Sequence, residues 1–389
     1  MNILVYSVYY PAPAEMKIAA DTLIVHYFVR ELQKAGHTVQ VVYLSMATQR
    51  GSNPKRLRDI LPSEADYVYD GVPVHLFRAL SLIPYRENPS GLQAAWINHR
   101  LRALKKRLGW KADKVFVHFP SAFTGVTEIF GDGAPVLGDF HNKDIWMLNK
   151  RYLTRGYGKK IAAFLRRMDH WGYRNIRVKA GLEKLGPHSM VRTYSGIDRA
   201  LLASEAFIRE KMSVRRPVTH ILYAGQLIPL KNVDILIRAA QTLAFDWDLT
   251  IVGDGPERAR LEKLAAGCGR IRFTGRLSRE ETINRMKDAD VFIMLSSPET
   301  YGLVYLEAMA NGCVTVASRG EGFDGIIESG KNGFLENPAS VEDAARVLTA
   351  VHDLSDEGRR EVILNGYRLA ASMTEEQTAR RFLEDNHSR

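Results

Sequence analysis

Two doubly wound α/β domains are the fold class this 389-residue chain predicts, and three observations carry it. Short apolar runs alternate with helix-period segments, the rhythm restarts after an interruption near residues 196–217, and the length allows two domains at roughly 100 to 200 residues each. Hydrophobic residues make up 46% and charged residues 25%, so the chain can bury a core, and disorder, collagen and coiled coil are set aside.

The first element, Ile3 to Tyr9, is an apolar run broken at Pro11 and Pro13, as in a buried parallel strand that ends in a loop. Leu23, Val25, Tyr27, Phe28, Val29 and Leu32 then give a wide apolar helical face, stopped at Gly36. Thr38 to Leu44 reads as the next strand, so strand, helix and strand form a right-handed βαβ unit. Strands follow at Val72–Phe77, Val115–Phe119 and Val136–His141, and after the interruption at Val218–Gly225, Leu249–Gly253, Ile271–Phe273, Val291–Leu295 and Val314–Ala317. A capping-box-like helix is expected from Thr374 toward Phe382. The domains are drawn at 1–196 and 197–372, with a C-terminal helix of about 373–389 packing back on the first.

No apolar run nears the ~18 residues of a membrane span. The opening Met1-Asn2-Ile3-Leu4-Val5-Tyr6 lacks a basic leader, and the two cysteines, Cys268 and Cys313, are too few for a disulfide framework. A reduced, cytoplasmic protein is expected. Residues 1–200 hold 30 Lys+Arg and 16 Asp+Glu, or +14, whereas residues 201–389 hold 24 and 28, or −4.

Chemistry concentrates at Ser296-Ser297-Pro298-Glu299-Thr300-Tyr301-Gly302-Leu303, where a strand ends at Leu295 and a helix begins near Gly302 and stops at Gly312. Glu299 thus sits at the carboxyl edge of a parallel sheet, where open α/β sheets bind ligands. The N–H groups near Gly302, Leu303 and Val304 offer an anion site, and Glu307 lies further along the same helix. Taken singly, each glutamate is as well explained as an ordinary helix charge; the pattern of both argues for a ligand. A second cluster, Gly225-Gln226-Leu227-Ile228-Pro229-Leu230-Lys231, places Lys231 as a point charge suited to a diphosphate. A third is Gly253-Asp254-Gly255-Pro256 with Gly275-Arg276-Leu277, whose glycines let backbone approach a flat ring, although Gly-Asp-Gly-Pro is also an ordinary turn.

With these clusters, the sequence resembles the retaining nucleotide-sugar glycosyltransferases of family four, which have the GT-B fold of two Rossmann-like domains facing each other across a cleft. The resemblance is strong over residues 218–337, including Gly322-Phe323-Asp324-Gly325-Ile326-Ile327, and weaker before them, where Gly36-His37, His118 and Ser195-Gly196-Ile197-Asp198 carry it. It implies that Glu299 binds donor-sugar hydroxyls near the reacting carbon, that Glu307 takes the ribose hydroxyls, and that Lys231 with the N–H groups of Gly302 and Leu303 holds the diphosphate. The backbone of Arg276 and Leu277, beside Gly253, would meet the base, and His118 would face the sugar. Two positions depart from the pattern: Gln226 stands where an arginine is common, and Pro13-Ala14-Glu15-Met16-Lys17-Ile18 replaces a glycine-bearing loop, with Lys17 as a substitute charge.

The expected reaction is retaining, metal-independent transfer from a nucleotide diphosphate sugar to a hydroxyl acceptor, a saccharide or lipid-linked saccharide of cell-surface polysaccharide or glycoconjugate synthesis. No Asp-x-Asp or His/Asp cluster compels a bound Mg²⁺ or Mn²⁺, and no cofactor is expected. Rival readings are a nucleotide-sugar epimerase, a dehydrogenase, for which Arg258 breaks the third glycine position, and a nucleic-acid-binding protein, which leaves the two glutamates unexplained. The charge of the first half reads instead as a hint of the acceptor or of an anionic membrane surface. Its main features are a basic amphipathic helix at 91–110, with Ile97, Leu101, Leu104 and Leu108 on one side and His99, Arg100, Arg102, Lys105, Lys106 and Arg107 on the rest, and a basic run from Lys150 to Arg167 interleaved with Trp146, Tyr152, Tyr157 and Trp171. Packing on the sheet with a solvated outer face explains that helix equally well.

Overall fold

Strand β1 (Asn2–Ser7) buries five of its six side chains because it runs parallel to a strand on each side, β2 (Thr38–Thr48) and β5 (Lys114–His118). This computed structural model describes residues 1–16, 23–48, 63–81, 89, 91–147, 156–214 and 219–384. It resolves into two compact units, Met1–Tyr194 with Thr378–Arg389, and Ser195–Gln377.

The first unit is an eight-stranded sheet of order β3-β4-β2-β1-β5-β6-β7-β8. Helix α1 (Ile24–Lys34) crosses from β1 to β2 and buries Val25, Val29 and Leu32, one face at helical spacing. Strands β3 (Ser63–Tyr69) and β4 (Val72–Ser81) form an antiparallel hairpin at the edge, closed by Asp70 and Gly71 at φ of +48° and +77°. Two left-handed residues in a two-residue loop suit the right-handed twist of the strands, and Asp-Gly supplies them readily. The apolar-run reading does not find β3, because Ser-Glu-Ala-Asp-Tyr-Val-Tyr alternates with one face in solvent. The unit continues with α2 (Gly91–Leu108), β6 (Val136–Phe140), α3 (Asn142–Met147), α4 (Gly156–Leu165), β7 (His170–Tyr173), α5 (Ile176–Glu183) and β8 (Met190–Arg192).

Helix α2 turns Ala94, Ile97, Leu101 and Leu104 into the core, together with Asn98, whose amide donates to the Gly125 carbonyl (2.9 Å) and accepts from the Glu128 N–H (3.1 Å). Its outer cations meet acidic partners inside the unit: Arg100 meets Glu64, Arg102 Glu128 (2.9 Å), Lys105 Asp132 (3.2 Å) and Arg107 Asp66 (2.5 Å). The pairs of Arg100, Arg102 and Arg107 are solvent-accessible and stabilise by about 0–1 kcal/mol each, whereas Lys105 and Asp132 are mostly buried. The acids are already counted in the +14, so the excess of this half stands, but these four cations have partners inside the unit. In the second basic run, Trp171 is fully buried and donates its indole N–H to the Leu165 carbonyl at 2.9 Å, so it is core rather than interface. Lys17, Ile18, Lys150, Arg151, Tyr152 and Arg155 lie outside the described residues, as do the side chains of Trp146 and Tyr157.

The second unit opens with α6 (Glu205–Ser213), capped by Ser204 on the Phe207 N–H. The segment at 196–217, which shows no strand signal, is therefore partly a helix of this unit, and residues 215–218 fall outside the description. An all-parallel sheet follows, of order β11-β10-β9-β12-β13-β14. Its elements are β9 (Thr219–Ala224), α7 (Val233–Ala240), β10 (Trp247–Val252), α8 (Arg258–Ala265), β11 (Ile271–Gly275), α9 (Arg279–Asp288), β12 (Val291–Met294), α10 (Leu303–Ala310), β13 (Val314–Ser318), β14 (Phe334–Glu336), α11 (Val341–His352) and α12 (Asp356–Ser372). Helix α13 (Glu375–Glu384) returns to the first unit, where Phe382 meets Phe28 and Phe116 edge-on at centroid separations of 5.2 and 5.5 Å. Edge-to-face pairs of this kind add about 0.5–1.5 kcal/mol to the area they bury. Two α/β units with parallel-rich sheets are the fold class expected. Among the described residues, no helix is long and apolar enough to cross a membrane.

Candidate active site

In the second sheet the strand order reverses between β9 and β12, so the loops after these two strands diverge and leave a site at their carboxyl ends. The loops are tied together there: the Ser297 N–H donates to the Leu230 carbonyl (2.8 Å), and the Asn232 amide donates to the carbonyls of Leu295 (2.7 Å) and Pro338 (3.0 Å).

These ties bring Lys231 and Glu299 together, with Nζ 2.7 Å from Oε2 and both side chains mostly buried. Ser296 Oγ donates to the same oxygen at 2.9 Å, and the Thr300 N–H donates to Oε1 at 3.1 Å, so the carboxylate is fixed from three directions. A residue that the motifs did not single out braces the loop from below. Glu321, buried after β13, accepts from Ser297 Oγ (2.7 Å) and from the Glu299 N–H (2.9 Å). Its only sequence signal is a carboxylate in the glycine-rich run Gly320-Glu321-Gly322, where a solvated turn is the ordinary reading.

Gly302 caps α10 at φ +86° without a side-chain hydrogen bond, so the first-turn N–H groups of Leu303 and Val304 face outward with the positive end of the helix dipole. Beneath it, Tyr305 is buried and donates to the Met294 carbonyl at 2.8 Å, locking helix to strand. Burial first, and then the charge of Glu299, push the Tyr305 and Tyr223 phenols well above their usual range, so both stay protonated. Tyr223 donates to the Gln226 carbonyl at 2.9 Å, and the Gln226 side chain is exposed. Glu307 points to a different partner, Arg279 on α9 at 2.8 Å, so each glutamate of the motif carries its own counter-ion. Arg276 is exposed and Leu277 half-buried, just past β11.

Gly253 directly follows β10 at φ +137°, and a Cβ there would lie 1.8 Å from the Gly225 carbonyl oxygen. The two loops can touch only because no side chain intervenes. Gly253→Ala is expected to lose more than about 2 kcal/mol in a denaturant titration, because the clash is with backbone. Gly267→Ala, also at positive φ (+85°) but in open space, isolates the conformational part at about 1 kcal/mol.

The remaining motif residue, His118, lies in the first unit at the end of β5 and is 2% exposed. Beside it Asp139, wholly buried, binds the Arg174 guanidinium through Nη2 (2.5 Å) and Nε (3.1 Å), and takes Thr193 Oγ1 (2.5 Å) and His141 Nε2 (3.1 Å). Burial alone would raise the Asp139 pKa; Arg174 and then His141 outweigh it and hold the group below the usual carboxylate range. Ligand atoms of His118, Asp139 and His141 lie within 4.8 Å of one another, a spacing that a metal ion could bridge. That carboxylate already takes the fixed charge of Arg174, which opposes a second cation at the same oxygens. Sequence reading missed Asp139, His141 and Arg174 as a group because Arg174, just after β7, meets the carboxyl end of β6 only through packing. Phe119, next to His118, is held at φ +60°, stacks on His141 at 4.1 Å and meets His118 edge-on at 4.7 Å. A left-handed phenylalanine costs roughly 1–2 kcal/mol and persists only where packing over-determines it.

Residues 205–369 match the family model described as glycosyl transferases group 1. The sulfoquinovosyl transferase SQD2 of Arabidopsis thaliana is 38% identical over 146 residues, 37% of this chain and 28% of that protein. The lipopolysaccharide core biosynthesis glycosyltransferase LpsE of Rhizobium meliloti is 30% identical over 244 residues, 62% of this chain and 63% of that protein. The chain thus spans less than two thirds of the length of either relative. HepE of Anabaena, solved in complex with UDP, superposes with a TM-score of 0.69 over the whole of both chains at 17% identity. Residues 205–369 are therefore a group 1 glycosyltransferase domain, on a chain that has the GT-B fold.

Proposed function

We propose that this protein transfers a glycosyl group from a nucleotide diphosphate sugar to the hydroxyl of a saccharide acceptor, with retention at the anomeric carbon and without a metal ion. The observation that carries it is the Lys231–Glu299 pair beside the uncapped start of α10, at the switch point of a parallel sheet. In this reaction the bond from the anomeric carbon to the diphosphate oxygen breaks and a bond to the acceptor oxygen forms on the same face. The acceptor's proton leaves with the diphosphate. Charge therefore grows on phosphate oxygens, which need fixed donors there. An ammonium has three N–H bonds, so Lys231 can keep Glu299 while reaching a phosphate oxygen, and the N–H groups of Leu303 and Val304 supply the rest. Glu299, held by Lys231 and Ser296, meets the sugar; Glu307 takes the ribose hydroxyls, the backbone at Gly253, Arg276 and Leu277 meets the base, and His118 meets a sugar hydroxyl.

The UDP bound by HepE makes UDP-sugars the first donors to test, followed by GDP- and ADP-sugars; the role of LpsE in lipopolysaccharide core synthesis points to a saccharide or lipid-linked saccharide as acceptor. A cognate donor at 100 times its Kd is expected to stabilise the fold by ~2.7 kcal/mol in thermal unfolding. Lys231→Ala should remove most of that protection; protection equal to that of the unmodified chain would overturn the phosphate role. Product analysis with and without acceptor separates transfer from epimerisation. The membrane reading draws nothing further from α2, since four of its five Lys and Arg residues pair within their own unit.

A further inference from the structure

Ser7, at the end of β1, is wholly buried, and its hydroxyl meets three groups. Oγ donates to the Tyr9 carbonyl at 2.8 Å, accepts from the Tyr9 N–H at 3.1 Å, and lies 3.2 Å from His118 Nδ1. A hydroxyl has one proton and two lone pairs. The short contact to the Tyr9 carbonyl takes the proton and the Tyr9 N–H takes one lone pair, so only a lone pair remains for the imidazole. The bond to His118 must run from Nδ1–H to Ser7.

We propose that Ser7 is a positioning residue that fixes His118 as its Nδ1–H tautomer, leaving Nε2 as a bare acceptor that selects a hydroxyl, and not an oxyanion, on the bound sugar. The isolated neutral side chain favours the opposite tautomer, so the selection is a property of the fold. Burial first, then the neighbouring His141 and Arg174, hold His118 well below its ordinary pKa, so the ring is neutral and must have one donor and one acceptor nitrogen. Asp139 does not compete for the ring, because its oxygens receive Arg174, Thr193 and His141. Among the described residues, His118 makes no hydrogen bond through Nε2. A phosphate oxygen carries no proton to give this lone pair and would be repelled by it; a sugar O–H completes it.

The inference rests on the proposed placing of His118 at the sugar, and its test separates the two. In the full chain labelled with ¹⁵N-histidine, the His118 signals are assigned by their loss in His118→Gln. At pH 7, Nδ1 is expected at a protonated and Nε2 at an unprotonated shift; the reverse in the unmodified protein overturns the proposal, even if no variant folds. Ser7→Ala should move the ring toward the Nε2–H form and lower kcat/KM about 5- to 10-fold, the size of one lost hydrogen bond. Ser7→Thr, which restores a hydroxyl, should recover the tautomer. An unmoved tautomer in Ser7→Ala, or a moved one with unchanged kcat/KM, overturns the positioning role. Full turnover by His118→Gln would instead sink the placing of His118 at the sugar, leaving the tautomer result standing.

Discussion

Glu299→Gln is expected to lower kcat by about 10²- to 10³-fold, the scale of removing one preorganised electrostatic contact from a reacting centre. The amide has the carboxylate's shape but brings an NH₂ where only acceptors fit. One orientation sets it against the Lys231 ammonium and the Ser296 hydroxyl, the other against the Thr300 N–H. Rate should fall far more than donor affinity, because the diphosphate is held by Lys231 and the start of α10 rather than by Glu299. Single-turnover kinetics with calorimetric donor binding makes the comparison. A variant within about threefold of the unmodified rate would make Glu299 a loop brace, like Glu321 beneath it.

Arg174→Met should have the largest effect on stability. Arg174 and Asp139 are nearly inaccessible, and removing one partner of a buried pair leaves an unpaired charge at a cost of about 3–5 kcal/mol. The pH dependence gives a second signature. In the unmodified protein the Asp139 pKa lies below its unfolded value, so this stabilisation is fully present above the unfolded pKa near 3.8 and fades as pH falls through the lower folded value. Without the guanidinium, burial dominates and lifts the Asp139 pKa above the unfolded value. The variant should therefore become relatively more stable as the pH is lowered from 7 toward 5, and Asp139→Asn in the same background should flatten that slope. Chemical denaturation at several pH values measures both. A loss under about 1 kcal/mol would mean that water reaches the carboxylate.

Much of the site's first layer was legible along the chain, because those residues are sequence neighbours. Ser296 to Leu303 follow one another at the end of an apolar run, so strand, loop and helix start could be read together, and Gly225 to Lys231 repeat the arrangement. The second layer was not. Glu321 reaches the Glu299 loop from 22 residues on, and Arg174 reaches Asp139 from 35 residues on. Nothing in the local periodicity marks either as a partner.

The same division runs through the whole molecule. Local pattern along the chain suffices for the two α/β units, since a strand buried on both faces must be a continuous apolar run and its helix must repeat near 3.6 residues, whatever surrounds them. It also placed the glutamate loop and the glycines at strand ends. How charge and hydrogen bonds are shared depends on packing: that Lys231 meets Glu299 and Glu307 meets Arg279, that four cations of α2 pair with Glu64, Asp66, Glu128 and Asp132, and that one serine proton goes to a carbonyl and not to His118. Backbone pattern is a property of neighbours in the chain, whereas the partner of a polar group is whichever distant element packing brings within 3 Å of it.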